Sequence, residues 1–446
     1  MHIVHPDALH FENPAASYWE SSADPLDLTL DPLSGDATCD VAIIGGGFTG
    51  LSAAIELAGR GVDVCLLEAG AIAWGASGRN GGFACIGSHK LSYDTMIKRY
   101  GLEATRAFYR TMKDSIALVA ENAERHAIDI WKHGEGEATL AHLPNRLEEF
   151  RAEQDFMRAT FGEKSEVLPQ DALKERGIYG PQFHGALMGK TGFGIHPLNY
   201  ARGMARAAHK AGARLFPLSR MNRWEERDGK HHLYTEHGHV VAARVLVASN
   251  GYTPEDVSTR HAGRILPALS NVIVTRPLSE TEMAAQGWTS STMAYDSRNL
   301  LHYFRLLPNN RFLFGGRGGT DSSAAAAAGY QQLLTATFQR LFPDWSSVEI
   351  SHFWRGFVCL AHDLVPYAGA LDERKSVWTS LAYHGNGVAM ASWCGRAVAR
   401  MMLDEKKARD EVPAVITRRL ARFPLPAFRP LYLKGAYLWF GWQDSH

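Results

Sequence analysis

The stretch that most constrains this fold runs from residue 40 to 70, DVAIIGGGFTGLSAAIELAGRGVDVCLLEAG. Val41-Ala42-Ile43-Ile44 is a short apolar run of the kind that is buried on both faces of a parallel sheet. Gly45, Gly47 and Gly50 complete G-x-G-x-x-G, Leu51 to Arg60 has helical spacing, and Gly61 stands at a C-cap. Val62 to Leu67 reads as a second strand that closes on Glu68. The glycines divide the work: Gly45 permits a tight turn, Gly47 lets backbone approach a pyrophosphate, and Gly50 lets the helix sit against the strand. The helix N-terminus offers N–H groups and a positive dipole end to phosphate, with Phe48 and Thr49 in its first turn. Glu68 comes about twenty residues after the glycines, where an acid accepts hydrogen bonds from ribose hydroxyls. A solvated strand-end carboxylate is the plainer alternative for Glu68, but the ordered series of strand, glycines, helix, strand and acid favours a bound dinucleotide.

Composition narrows the class. The 446 residues suffice for two or three domain-sized units. Lys+Arg and Asp+Glu are both 47, so no net field steers the chain toward nucleic acid or an anionic membrane. Cys39, Cys65, Cys85, Cys359 and Cys394 form neither a C-x-x-C pair nor a metal-ligand spacing, so free thiols and no metal are expected. The first residues lack the basic-then-apolar order of a secretory signal, and no apolar run approaches the ~20 residues of a membrane span. A cytoplasmic protein with no membrane span and no nucleic-acid partner is the expectation.

The segment after the acid decides between NAD and FAD. Instead of another plain α/β unit, the chain continues as GAIAWGASGRNGGFACIGSHK. A backbone so poor in side chains can lie along a longer ligand, from pyrophosphate toward an isoalloxazine ring. Gly78, Gly81 and Gly82 would give clearance, and Arg79 and Asn80 would offer donors to phosphate or flavin edge.

With these two blocks the chain resembles the D-amino-acid oxidase-like FAD-dependent oxidoreductases, and within them the gamma-glutamylputrescine oxidase-type enzymes. Further blocks in the family's order carry the likeness over most of the chain: GFGIHPLNYARGMARAAHKAGARLF (192–216), ARVLVASNGYT (243–253), LPNNRFLFGGR (307–317), FWRGFVCLAHDLVPYAG (353–369) and LAYHGNGVAMASWCGRAVARMML (381–403). The resemblance implies an α/β (α+β) architecture: a discontinuous Rossmann-like FAD-binding domain at 38–90, 193–262 and 355–412, and a substrate domain with a mainly antiparallel sheet and helices at 91–192 and 263–354. Residues 1–37 would be an N-terminal arm and 413–446 an extended aromatic tail, a partner contact or a substrate lid. It implies FAD contacts from Gly45, Gly46, Gly47, Phe48, Thr49, Gly50, Glu68, Ala69 and Ser77, from the loop Gly78, Arg79, Asn80, Gly81 and Gly82, and from Met221, Ser249, Asn250 and Gly251. The turn Gly385, Asn386, Gly387 and Val388 would set backbone N–H groups at the flavin pyrimidine edge, where negative charge gathers on reduction.

The implied chemistry is hydride transfer from the carbon bearing nitrogen to flavin N5, then hydrolysis of the imine by water, with reoxidation by O2 or another acceptor. Relatives grip a substrate carboxylate with a cation eight residues before the proline of D-x-x-P; here that motif is Asp363 to Pro366 and the position is Val358. Near the last flavin turn this chain has Gly385 and Ala389 where relatives carry Arg or Lys. The loss favours an amine or N-substituted amine whose carboxylate is held elsewhere, with Arg305 and Arg317 as candidate anchors. His384 is a candidate contact to ring or substrate, and Trp354 and Tyr383 are candidate walls for an ammonium, core packing being the alternative for both. Covalent attachment would fall at Gly356 rather than Cys359, so non-covalent FAD is expected. The alternative reading is an oxidase or dehydrogenase of a secondary amino acid such as sarcosine or pipecolate.

Overall fold

The computed structural model describes residues 3–403 and 410–445; six positions of the third expected flavin segment, 404–409, lie outside them. Two eight-stranded sheets carry the architecture. The first is centred on Gly35–Ile44, flanked in parallel by Val64–Leu67 on one side and Gly238–Val247 on the other. Arg214–Phe216 extends it beyond Val64–Leu67, and Val377–Leu381 extends it beyond Gly238–Val247, both in parallel. Five strands from three distant parts of the chain thus converge on one sheet. Val41 to Ile44 and Val64 to Leu67 are buried on both faces, as a helix-covered parallel sheet requires. The strand Gly35–Ile44 is longer than its apolar run because its first half is half-exposed and pairs with Gly238–Ala242.

The helix after the glycine turn is Phe48–Ala58, three residues earlier than the apolar spacing alone suggests. It ends before Gly59, and Gly61 follows at φ +79°.

The second sheet is mainly antiparallel; only Met293–Asp296 and Glu137–Leu140 run parallel. Its long strands Ile265–Thr275 and Ile350–Ala361 pair along their length, so this sheet takes in residues 355–361, seven positions expected in the flavin domain. The helix Leu102–Arg125, inside the expected substrate domain, instead packs against Gly387–Met402, and its Phe108, Met112 and Ile116 share the core of the first sheet. The low-complexity alanines lead into a helix, Ala327–Leu341.

The C-terminal tail is a correction. It was expected to be extended, but Arg429–Gln443 is a helix. Pro426 and Pro430 open a short 3-10 turn and this helix, positions at which proline's missing N–H costs nothing.

Candidate active site

Two helix N-termini open on one cavity of about 1010 Å³ between the sheets. Neither Gly47, which caps Phe48–Ala58, nor Asn386, which caps Gly387–Met402, supplies a side-chain cap. Ser77 takes the Phe48 N–H, and the remaining first-turn N–H groups and the positive dipole ends are left for an anionic ligand. Gly50 has no space for a side chain: a Cβ there would stand 1.9 Å from the Gly45 carbonyl oxygen.

Glu68 closes the first strand–helix–strand unit at the cavity wall. Its Oε2 accepts from Gly46 N at 2.6 Å and its Oε1 from Gly70 N at 3.0 Å. Burial outweighs these bonds and raises its carboxyl pKa.

The loop GASGRNGG is held by its own polar groups. Ser77 Oγ accepts from Phe48 N at 3.0 Å. Asn80 Nδ2 donates to the Ala76 and Ser77 carbonyls at 3.1 and 2.9 Å, and its Oδ1 accepts from Gly82 N at 2.8 Å. Asn80 is therefore a staple of the loop rather than a free donor. Arg79 lines the cavity, but it stacks 4.0 Å over Trp74 and donates from Nε to Trp74 O and from Nη1 to Arg355 O. Gly82, at φ +74°, meets the re-entering chain so closely that a Cβ would lie 2.2 Å from Ile195 O.

Most of the expected contacts share this cavity. Gly45, Gly47, Phe48, Thr49, Ala69, Ser77 and Gly81 line one side, with Met221, Ser249, Asn250 and Gly251 beside them. Tyr383, His384, Gly385, Asn386, Gly387 and Val388 come from the C-terminal return. Gly46, Gly50, Gly78 and Gly82 stand behind the wall and shape it through backbone packing. Asn250 Oδ1 accepts from Ala382 N at 2.9 Å, tying two of the turns together. Tyr383 is a strut more than a wall: its hydroxyl is bonded to Thr49 Oγ1 at 2.7 Å and Ser380 Oγ at 3.0 Å.

Two expected catalytic residues are displaced from the site. Arg305 is wholly buried outside the cavity lining. Its Nε donates to Gly81 O at 2.9 Å, Nη2 to Ile195 O at 2.6 Å and Nη1 to His133 Nε2 at 2.8 Å. It joins the loop, the re-entry segment and His133, and leaves no face for a substrate. Trp354 is also buried outside the lining, its indole donating to Arg79 O at 2.7 Å and its ring packing on Trp19.

Four cations line the cavity: Arg79, held over Trp74, Arg220, stacked 5.2 Å over Phe11, Arg317, which was a candidate anchor beside Arg305, and Lys90, which was not expected. Arg317 donates from Nη2 to His384 O at 3.2 Å. Lys90 is an exposed side chain at the cavity wall, and desolvation by the protein around it, then the Arg317 charge, pull its ammonium pKa well down. Among the described residues no carboxylate forms an ion pair with either. His384 sits beside them at φ +53°, wholly buried, with neither ring nitrogen partnered among the described residues. Burial first, and Lys90 next, push its pKa well below the usual histidine range, so the ring is neutral. Tyr303, bonded to Ser270 at 3.0 Å, and Tyr295 complete this end. The only sequence signal for Lys90 is its place directly after the glycine-rich loop. Cys359 is buried, its thiol pushed up to about 12 by that burial.

The glycine cradle, the two helix N-termini, the acid at the strand end and the orphaned His384 fit a long dinucleotide. The volume, at the top of the ~300–1,000 Å³ usual for small-molecule sites, suits it as well. Comparison with known proteins agrees: the family described as FAD dependent oxidoreductase (DAO) matches residues 40–401. The chain belongs to the DAO family of FAD-dependent oxidoreductases. It is 31% identical over 416 residues to the gamma-glutamylputrescine oxidoreductase of Escherichia coli (strain K12), covering 93% of this chain and 94% of that one. Among solved structures it is similar to glycine oxidase from Geobacillus kaustophilus, with TM-score 0.69 and 24% identity over 86% of this chain and all of that one. The L-proline dehydrogenase of P. horikoshii shares the fold at TM-score 0.69 and 19% identity, covering 91% and 99%. As a member of the DAO family this chain is an FAD-dependent enzyme. Among the described residues no group of side chains could hold a metal ion, and no helix is long and apolar enough to cross a membrane.

Proposed function

We propose that this enzyme oxidises the C–N bond of an amine that carries a carboxylate away from the reacting carbon, a gamma-glutamylated diamine being the model substrate. The observation that carries this reading is the pair Lys90 and Arg317, two cations on one cavity without a carboxylate partner among the described residues. Lys90 is exposed and Arg317 half-buried, yet both pKa values are lowered by desolvation, so an anion arriving with the ligand would relieve charge that no carboxylate among the described residues pairs. The relative named for gamma-glutamylputrescine supports that choice of anion.

Bound FAD supplies the hydride acceptor. The protein's share is placement. Gly47, Thr49 and the first turn of Phe48–Ala58 would hold the phosphates at one helix end, and Gly385 to Val388 would turn the other helix end to the ring. Lys90 and Arg317 hold the carboxylate, which sets the amine end of the substrate toward the ring. His384, neutral, adds a hydrogen-bonding edge without a further positive charge that would repel a substrate ammonium. The substrate loses a hydride and a proton to become an imine, and water then releases the carbonyl product and the amine. With O2 as acceptor the electron pair leaves as hydrogen peroxide.

The test is peroxide release, and reduction of an artificial acceptor, with gamma-glutamylputrescine, putrescine, sarcosine and pipecolate. The gamma-glutamyl amine should have the highest kcat/KM, and putrescine, which lacks the carboxylate, a much lower one. A preference for sarcosine or pipecolate would replace this reading with oxidation of a secondary amino acid, whose α-carboxylate the same cations would hold.

A further inference from the structure

The helix Arg429–Gln443 carries an apolar stripe that faces outward. Of the ten exposed large apolar side chains among the described residues, seven lie between Leu425 and Trp442. Phe428, Leu431, Gly435, Leu438 and Trp442 succeed one another at spacings of three and four, with Tyr432 and Trp439 alongside. That is the period of a helix seam that packs on another helix at a shallow angle. Leu438 is 79% exposed and Trp439 56% exposed.

This helix is not a loose tail. Its inner face buries Leu433, with Tyr437 packed beside it, against Leu266 and Ala268. Arg429 pairs with Glu255 through both terminal nitrogens, at 2.6 and 2.7 Å, and also donates to Ile265 O. At the other end Asp444 accepts from Asn299 N at 2.7 Å and Leu300 N at 2.9 Å. The stripe is therefore presented on a rigid support.

We infer that the stripe is the contact between two copies of this chain, packed as an antiparallel helix pair across a two-fold axis at Gly435. The spacing is self-complementary about that residue. An antiparallel pair centred there sets Phe428 against the partner's Trp442, Leu431 against the partner's Trp439 and Tyr432 against the partner's Leu438. Gly435 then meets the partner's Gly435, where a Cβ would find nothing within 4 Å in the single chain, and its bareness permits close approach of the backbones. Lys434 is the only charged residue between Arg429 and Asp444, and it falls opposite the partner's Ala436, so no like charges meet. A helix lying on a membrane surface would carry a cationic polar face, which this one lacks. Together the seven side chains expose on the order of 700 Å² per copy, close to the ~800 Å² per partner of a standard interface.

The experiment uses the full-length, FAD-loaded enzyme. Sedimentation should give twice the 49.2 kDa chain mass at micromolar concentration. The double variant Leu438→Asp/Trp439→Asp should sediment as a single chain with unchanged flavin content. Independently, Gly435→Cys should form an interchain disulfide on mild oxidation, whereas Leu333→Cys, exposed on the helix Ala327–Leu341 and outside the stripe, should not. A monomeric wild type, or a dimer that survives the double variant and gives no Gly435→Cys cross-link, would overturn the inference. So would a monomer that floats with phosphatidylcholine or phosphatidylglycerol vesicles through these side chains, which would assign the stripe to a lipid surface.

Discussion

At the residue scale the cavity cations decide specificity. Removing the charge in Lys90→Met should raise KM for a carboxylate-bearing amine roughly 10- to 100-fold, about 1.4–3 kcal/mol of binding, with kcat changed less. Steady-state kinetics on the carboxylated and uncarboxylated amines checks this, and an unaltered KM would remove Lys90 from the substrate subsite. The sign of the pH effect comes from its lowered pKa. Lys90 loses its charge as pH rises, earlier than an ordinary lysine, so KM of the wild type should climb on the alkaline side while that of Lys90→Met stays flat. A second residue carries a stability signature. Glu137 lies behind Cys85; burial pushes its carboxyl up to about 8, against a weaker lowering by the thiol, and its Oε2 has no partner among the described residues. Between the ordinary carboxylate range and that value the folded chain holds a proton that the unfolded chain has released. Stability therefore falls as pH rises through this window, by no more than about 1.4 kcal/mol per pH unit, and levels off above it. Glu137→Gln should abolish this slope, so thermal melts of the two proteins should diverge in the variant's favour from pH 5 to 8. Parallel curves would show that Glu137 is ionised in the fold.

At the element scale the loop GASGRNGG depends on a side chain from the other sheet. Arg305 reaches it from the strand His302–Leu306, and burial lowers its guanidinium pKa to about 9 without any carboxylate beside it among the described residues. Arg305→Met would leave the Gly81 and Ile195 carbonyls without their donor, at about 1–3 kcal/mol each. The variant should melt lower and retain less flavin, while its flavin-loaded fraction keeps the wild-type KM. A raised KM in that fraction would make Arg305 a substrate contact after all. The same residue marks the limit of the sequence. The strand–glycine–helix unit was legible because its hydrogen bonds and periodicity are local, and Glu68 is placed by a fixed spacing. Arg305 was misread because its role is set by Gly81, His133 and Ile195, each more than a hundred positions away in sequence. Asn80 looked like a free donor since nothing in the string GASGRNGG shows the loop folding back on its amide. The helix at 429–443 was hidden by prolines that open it rather than break it. Leu102–Arg125 was legible as a helix but not as part of the first core, because its apolar face says nothing of which sheet it covers.

At the scale of the whole molecule the cavity is walled by chain from Ile3 to Ala391, so cofactor binding couples parts that share no covalent neighbourhood. FAD binds the folded state and not the unfolded one, and at a hundredfold excess over its Kd adds about 2.7 kcal/mol of stability. Stripping the flavin should therefore lower Tm, and readding it should restore Tm in proportion to the logarithm of its concentration. The N-terminal arm gives this linkage a sharper form. Pro6, Leu9 and Phe11 line the cavity, and the arm is stitched across it: Trp74 Nε1 donates to Asn13 O at 2.6 Å, His5 N to Ser322 Oγ at 2.8 Å and Ala324 N to Asp7 Oδ2 at 2.9 Å. These bonds bridge the segment before the glycine-rich loop and the loop after the strand ending at Arg317. Residues 3–17 of the arm supply no member of the main core, whose first members are Tyr18 and Trp19. Deleting residues 1–11 should then leave the melting point of the flavin-free protein nearly unchanged while raising the Kd for FAD at least tenfold. Calorimetry of the stripped proteins and a flavin-fluorescence titration separate the two quantities. Equal FAD affinity in the truncated protein would mean that the arm covers the cavity without holding its ligand, whereas a lowered flavin-free Tm would make the arm part of the fold itself.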